Sequence, residues 1–235
     1  MEGFIIGGEK TKIQQYPHSV YLTMNCDMSF VCAGSVLTQE IILTAAHCLE
    51  ECRGKSRDSV EVKYGHESIV SMKSTMMKSF IIHEKYDEMT VHNDICLVST
   101  NKPIALGYFV KRVVIMRKPK VSKWAYLAGW GGINLNHDLS TVLMHTAQQV
   151  QTPNVCRLLG KIPNGSFCAG PANEKGMPDW GDSGSALVIS NYVQIGIVSY
   201  KIQRYALVVY TNVSYYYNWI VDSAVNLVCR KRNGG

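Results

Sequence analysis

The sequence predicts an all-β protein made of two β units and one C-terminal helix, and three observations carry that reading. Short runs rich in β-branched and aromatic residues recur along the chain with turn residues between them. A stretch holding Pro103, Gly107 and Pro119 interrupts the succession and reads as a connector. Helical spacing of apolar residues appears after Ser214. With 46% apolar residues in 235, the chain is long and apolar enough for a buried core, and it does not read as disordered.

In chain order, the first unit contains the runs "FVCAGSVLT", "IILTAAH", "VEVKYG", "KSFIIHE" and "DICLVST". They favour a barrel or sandwich, because strands this short need partners on both edges to bury a common face. The connector, 99–123, also carries Lys111, Arg112, Arg117, Lys118, Lys120 and Lys123. A boundary near 110 divides the chain into 1–110 and 111–235. The second unit contains "WAYLAGWG", "VLMHTAQQV", "ALVIS", "VQIGIVSY" and "LVVYTNV". Tyr217, Ile220, Val221, Ala224 and Val228 then recur at helical spacing, with Ser214 as the expected cap.

The net charge of +6 and pI near 8.8 are moderate. The clustered cations read as a solvated connector and tail, with a polyanion-binding patch as the alternative. Nothing points to nucleic-acid chemistry. The eight cysteines lack the paired C-x2-C spacing of a zinc site, and no HExxH pattern occurs, so disulfides and an oxidising compartment are expected. Residues 1–4 contain no apolar leader, and the chain reads as a processed form. The uncharged stretch "YALVVYTNVSYYYNWIV" is interrupted by Thr, Asn and Ser, so no membrane span is expected.

Chemistry concentrates in three motifs. "GDSGSAL" at 181–187 offers Ser183, "LTAAHC" at 43–48 offers His47, and "HNDICLV" at 92–98 offers Asp94. Singly each is weak: a lone histidine after a strand is usually structural, and an aspartate before one usually turns the chain. With "IIGG" at 5–8, "GWGG" at 129–132 and "IVSY" at 197–200, the sequence resembles the trypsin/chymotrypsin family of serine endopeptidases over nearly its whole length. The order His, Asp, Ser separates that family from other serine hydrolases.

The resemblance implies two antiparallel β-barrels forming one peptidase domain, with the active site between them. His47 and Asp94 would come from the first barrel and Ser183 from the second. A serine hydroxyl is a poor nucleophile until a neighbouring base takes its proton, the role implied for His47; Asp94 would hold the imidazole tautomer. Ser199 would hydrogen-bond Asp94, and the Gly181 and Ser183 amides would bind the oxyanion. Cleavage before Ile5 would release an ammonium that pairs with Asp182 and orders the oxyanion loop, so the chain carrying Phe4 is expected to be a zymogen. Protein or peptide substrates and protein protease inhibitors are the implied partners. The protein is expected to be a secreted monomer needing no cofactor.

The resemblance also pairs Cys32 with Cys48 and Cys156 with Cys168, and places Cys26 and Cys52 in neighbouring surface loops, so these two are expected to pair with each other. Cys96 and Cys229 lack family partners and read as free thiols, with a bridge between them as the alternative. Asp179 stands where the family carries a cysteine, so the bridge bracing the specificity pocket is missing. The pocket floor is Met177 where trypsin-like enzymes carry an aspartate, which argues against basic substrates. Lys201 and Val208 replace wall glycines; a shallow apolar pocket is expected, with an occluded one as the competitor. The 65–78 loop lacks paired acidic residues, and no metal is expected. Asn164 is the more credible of two glycosylation sequons, the other being Asn212.

Overall fold

A computed structural model describes residues 8–134, 136–171 and 176–229. The predicted activation residue Ile5 lies outside them. A short strand, β1 (Glu9–Lys10), precedes six strands: β2 (Ser19–Asn25), β3 (Ser29–Val36), β4 (Ile41–Thr44), β5 (Val60–Tyr64), β6 (Lys73–Ile82) and β7 (Cys96–Thr100). Six more follow the connector: β8 (Trp124–Gly129), β9 (Met144–Val150), β10 (Ser166–Pro171), β11 (Ala186–Ile189), β12 (Val193–Ile202) and β13 (Leu207–Asn212). A single-turn helix α1 (Pro153–Cys156) precedes β10, and α2 (Tyr217–Cys229) ends the described chain. None of the described helices is long and apolar enough to cross a membrane.

The first barrel closes in the order β2-β3-β4-β7-β6-β5, and the second runs β9-β10-β13-β12-β11-β8 and closes through β9–β8 pairing. All pairings within them are antiparallel. β5 shows how pattern sets face: Val60, Val62 and Tyr64 turn inward while Glu61 and Lys63 are half-exposed. β4 is buried at every position, so its sequence, Ile-Ile-Leu-Thr, is apolar almost throughout. The first barrel fills with Val20, Leu22, Leu43, Val62 and Leu97. The second fills with Leu127, Leu187, Ile195 and Tyr210.

The ends of the chain cross over. β1 pairs with β9 of the second barrel, Glu9 opposite His145. α2, which follows the last strand of the second barrel, packs Ile220 and Leu227 into the core of the first. Trp219 Nε1 donates to Glu84 Oε2 at 3.0 Å and anchors it there.

The helix begins three residues later than the predicted cap. Ser214 does not cap it; both the backbone N–H and the hydroxyl of Ser214 donate to Asn212 Oδ1, at 3.0 and 2.9 Å. An Asx turn therefore feeds the helix, because a carboxamide held at the end of β13 meets these donors first.

Three disulfides join Cys26 to Cys52, Cys32 to Cys48 and Cys156 to Cys168, as the resemblance implied. Each lies within one barrel. Cys96 is a free, buried thiol, and its pKa is pushed up by burial. The side chain of Cys229 lies outside the described set. The connector cations are exposed, and Arg117 lies 4.5 Å from the centroid of the Tyr217 ring. Asn164 is exposed and Asn212 half-buried.

Candidate active site

The polypeptide just beyond β4 and the one just before β7 carry the first two candidate residues. The Asp94 carboxylate is buried, and its oxygens divide their work. Oδ1 accepts from the His47 backbone N–H at 3.0 Å, and Oδ2 accepts from His47 Nδ1 at 2.9 Å. An ionised carboxylate only accepts, so Nδ1 carries a proton, and in the neutral ring Nε2 keeps its lone pair.

The second barrel completes the grip on Asp94. Ser199 Oγ, on β12, donates to Oδ2 at 2.6 Å, and Thr211 Oγ1, on β13, donates to the Asp94 carbonyl at 2.8 Å. Burial opposes the charge on Asp94, but His47 and the Ser199 hydroxyl outweigh it, and its pKa is lowered. Burial likewise disfavours the imidazolium, yet the charge and hydrogen bond of Asp94 prevail and the His47 pKa is raised.

Ser183 sits in a turn pressed against the first barrel. Its carbonyl accepts from the Ala33 N–H at 2.7 Å. At Gly184, φ is +85°, and a Cβ there would stand 2.2 Å from Thr44 Oγ1 and 2.3 Å from the Ala33 carbonyl. Glycine is the residue that allows this approach. The Ser183 side chain is half-buried and makes no hydrogen bond among the described residues; nor do the Gly181 and Ser183 amides. Donors left free beside an accessible hydroxyl are what an incoming carbonyl oxygen needs.

Asp182 points the other way, into the second barrel, and is fully buried. Its carboxylate accepts from Gly131 N at 2.9 Å and Asp179 N at 3.0 Å. A Cβ on Gly131 would lie 2.4 Å from this carboxyl, which explains one glycine of "GWGG". Burial pushes the Asp182 pKa up to about 7, and the Asp179 carboxylate adds to the rise; the two amides and the Lys201 ammonium offset it in part.

Of the three predicted pocket residues, two are packed into the core of the second barrel and the third, Lys201, is half-buried. Met177 is 8% exposed and Val208 is fully buried, and both belong to the core around Tyr210. Lys201 stands opposite Val208 in the β12–β13 register. Its ammonium pairs with Asp179 Oδ1, an oxygen that also accepts from Trp180 N at 2.8 Å. His137 Nδ1 lies 3.1 Å from the other oxygen, Oδ2. Sequence reasoning treated Asp179 and Lys201 as two separate departures. Their opposite charges make them able to pair, but nothing in the sequence brings them together, and His137 and Thr211 carry no signal either.

The Cys32 and Cys48 sulfurs and a His47 ring nitrogen lie within 4.8 Å of one another. The sulfurs are joined in a disulfide and have no thiolate to offer a metal.

Two closed six-strand barrels, with a Gly-Asp-Ser turn of one set against the histidine-bearing segment of the other, have the architecture of the chymotrypsin-like serine peptidases. The sequence matches the Trypsin family over residues 5–220, and the chain belongs to that family of serine endopeptidases. It is 30% identical to mast cell protease 3 of Ovis aries, the alignment covering 93% of this chain and 88% of the relative. Identity to trypsin Blo t 3 of Blomia tropicalis is 31%, over 95% and 87% of the two chains. Among solved structures, a scabies mite inactivated protease paralogue superposes with a TM-score of 0.83 at 25% identity, covering 94% of this chain and 97% of that one.

Proposed function

We propose that this protein is a secreted, monomeric serine endopeptidase that cleaves protein or peptide chains through an acyl-enzyme. The observation that carries the reading is the His47–Asp94 pair, in which a buried carboxylate fixes the ring with its acceptor nitrogen free. In this mechanism His47 Nε2 takes the proton of Ser183 as Oγ attacks the scissile carbonyl. The N–H groups of Gly181 and Ser183 receive the oxyanion, a contribution of about 3 kcal/mol for each donor. His47 then protonates the departing amine, and water, activated by the same ring, releases the acyl group.

The preferred P1 residue, the one before the scissile bond, is small and apolar. Met177 and Val208 fill the floor and one wall, and the floor lacks the carboxylate a basic side chain needs. Maturation by cleavage before Ile5 belongs to the same reading, with the new ammonium pairing with Asp182. Protein inhibitors that present a substrate-like strand to β12 are the expected partners.

A second reading is supported by the filled pocket: a homologue that binds partners without cutting them. One experiment separates the two. The chain beginning at Ile5 is treated with a fluorophosphonate, with Ser183→Ala as control, and then offered a peptide library. Labelling of wild type but not Ser183→Ala, with cleavage after Ala or Val, is expected. Labelling without turnover favours the binding protein, and equal labelling of the control refutes Ser183 as nucleophile.

A further inference from the structure

Lys201 and Asp179 come from the two sides of the specificity slot. Lys201 is on β12, two residues beyond Ser199, whose hydroxyl holds Asp94. Asp179 is in the segment that runs from Met177 at the floor to Gly181 and Ser183 at the mouth. In the slot that the family resemblance implies, an ion pair between them spans the space that a P1 side chain has to enter. Its components are unequal: the Asp179 side chain is wholly buried, whereas that of Lys201 is 20% exposed. Asp179, which also accepts from Trp180 N, is the more deeply held partner, and Lys201 the one that reaches solvent.

We propose that Lys201 is the specificity-determining residue of this site, an internal side chain occupying the slot with its ammonium on Asp179 as a substrate lysine would be held. The inference concerns the same site as the proposed peptidase function, and only its cleavage arm rests on that reading. Small P1 side chains stop short of the ion pair. A long apolar one has to expel Lys201, which strands a buried carboxylate with one cationic partner removed. His137 does not take the place of the ammonium, since it contacts the other oxygen and about half of its side chain, 47%, is exposed. A cationic P1 side chain alone among the long ones brings its own replacement for the ammonium. The structure thus accounts for a slot that lacks an acidic floor yet keeps an acid in its wall.

Asp179 is further tied to the oxyanion loop. Its N–H donates to Asp182 Oδ2 at 3.0 Å, and its carbonyl accepts from Asp182 N at 2.9 Å. What Lys201 holds is therefore continuous with the segment that presents Gly181 and Ser183.

Three rigid probes of one shape and different charge test the idea by calorimetry, without any need for catalysis: benzamidine, benzamide and benzoate. The variants are Lys201→Gly, Asp179→Asn and the double substitution. Wild type is expected to bind none of the probes measurably. Lys201→Gly gains benzamidine by about tenfold or more over benzamide, the scale of one charge-assisted contact. Asp179→Asn, which leaves the ammonium unpaired, gains benzoate instead. The double variant binds neutral benzamide best.

Equal gain of benzamide and benzamidine by Lys201→Gly makes the lysine a mere steric plug and overturns the proposal. Wild type binding benzamidine as tightly as Lys201→Gly does the same. Should Lys201→Gly fail to fold with its carboxylate stranded, Asp179→Asn without any gain of benzoate is the refuting result. In the cleavage arm, Lys201→Gly is expected to cut after Lys and Arg. Loss of fluorophosphonate labelling in every variant would sink the peptidase reading while leaving the binding result standing.

Discussion

At the scale of single residues, Asp94 is where two opposed effects are resolved. Burial would neutralise it, and His47, Ser199 and the His47 amide keep it charged. Asp94→Asn removes the charge and permits the wrong ring tautomer. A fall in kcat on the order of ten-thousand-fold is expected, the size known for this change in the serine–histidine–aspartate triad, and steady-state kinetics on an Ala-P1 peptide checks it. The pH profile follows from the His47 shift. Its pKa is raised above the usual 6.5, and the ring works as a base only when neutral, so kcat/KM should rise with pH through a value above 6.5. In Asp94→Asn burial acts alone, and the residual activity should persist to lower pH. An acid limb unmoved by that substitution would contradict the assigned pairing. The candidate triad was legible because "LTAAHC", "HNDICL" and "GDSGS" each carry a residue type the chemistry requires. The Lys201–Asp179 pair was not, since a contact between residues 22 apart depends on how two strands and a loop are superposed.

At the scale of elements, the proposed oxyanion loop has the buried Asp182 at its centre. Its folded pKa of about 7 lies above the ordinary 3.8, so between these values the folded chain holds a proton that the unfolded chain has lost. Stability of the chain carrying Phe4 should therefore fall as pH rises from 3.8 towards 7. In a chain beginning at Ile5, an ammonium paired with Asp182 as proposed would keep it ionised, and that decline should vanish. Superimposable Tm-against-pH curves for the two forms would refute the activation device. The Cys26–Cys52 bridge closes a separation of 26 residues between β2 and the loop after β4. Replacing both cysteines by serine should cost about 3 kcal/mol of unfolding free energy in urea. The strands that sequence patterns revealed are those with apolar runs, such as β4, β12 and β13. β10, "SFCAGP", has little strand propensity and exists because β9 and β13 pair with both its edges. β2 carries neither signal: Ser19 and Thr23 break its apolar run, and burial of Ser19, Val20, Tyr21 and Leu22 erases the alternation that marks a half-exposed strand.

At the scale of the whole molecule, the two barrels exchange their ends. β1 lies on the second barrel and α2 covers the first, whereas the three bridges described each stay within one barrel. A protease cut within the exposed connector should leave two fragments that separate under denaturation without reduction but migrate together in native gel filtration. Fragments that part on the native column would show that the exchanged ends contribute little. The sequence revealed two units but not this exchange, since a helical pattern does not say which surface its apolar side will cover. Neither half made alone is then a finished object: 1–110 lacks the lid for Ile220 and Leu227 to provide, and 111–235 lacks the edge strand that Glu9 and Lys10 add. Halves synthesised apart should stay incompletely folded and recover order on mixing, each serving as the other's folding template.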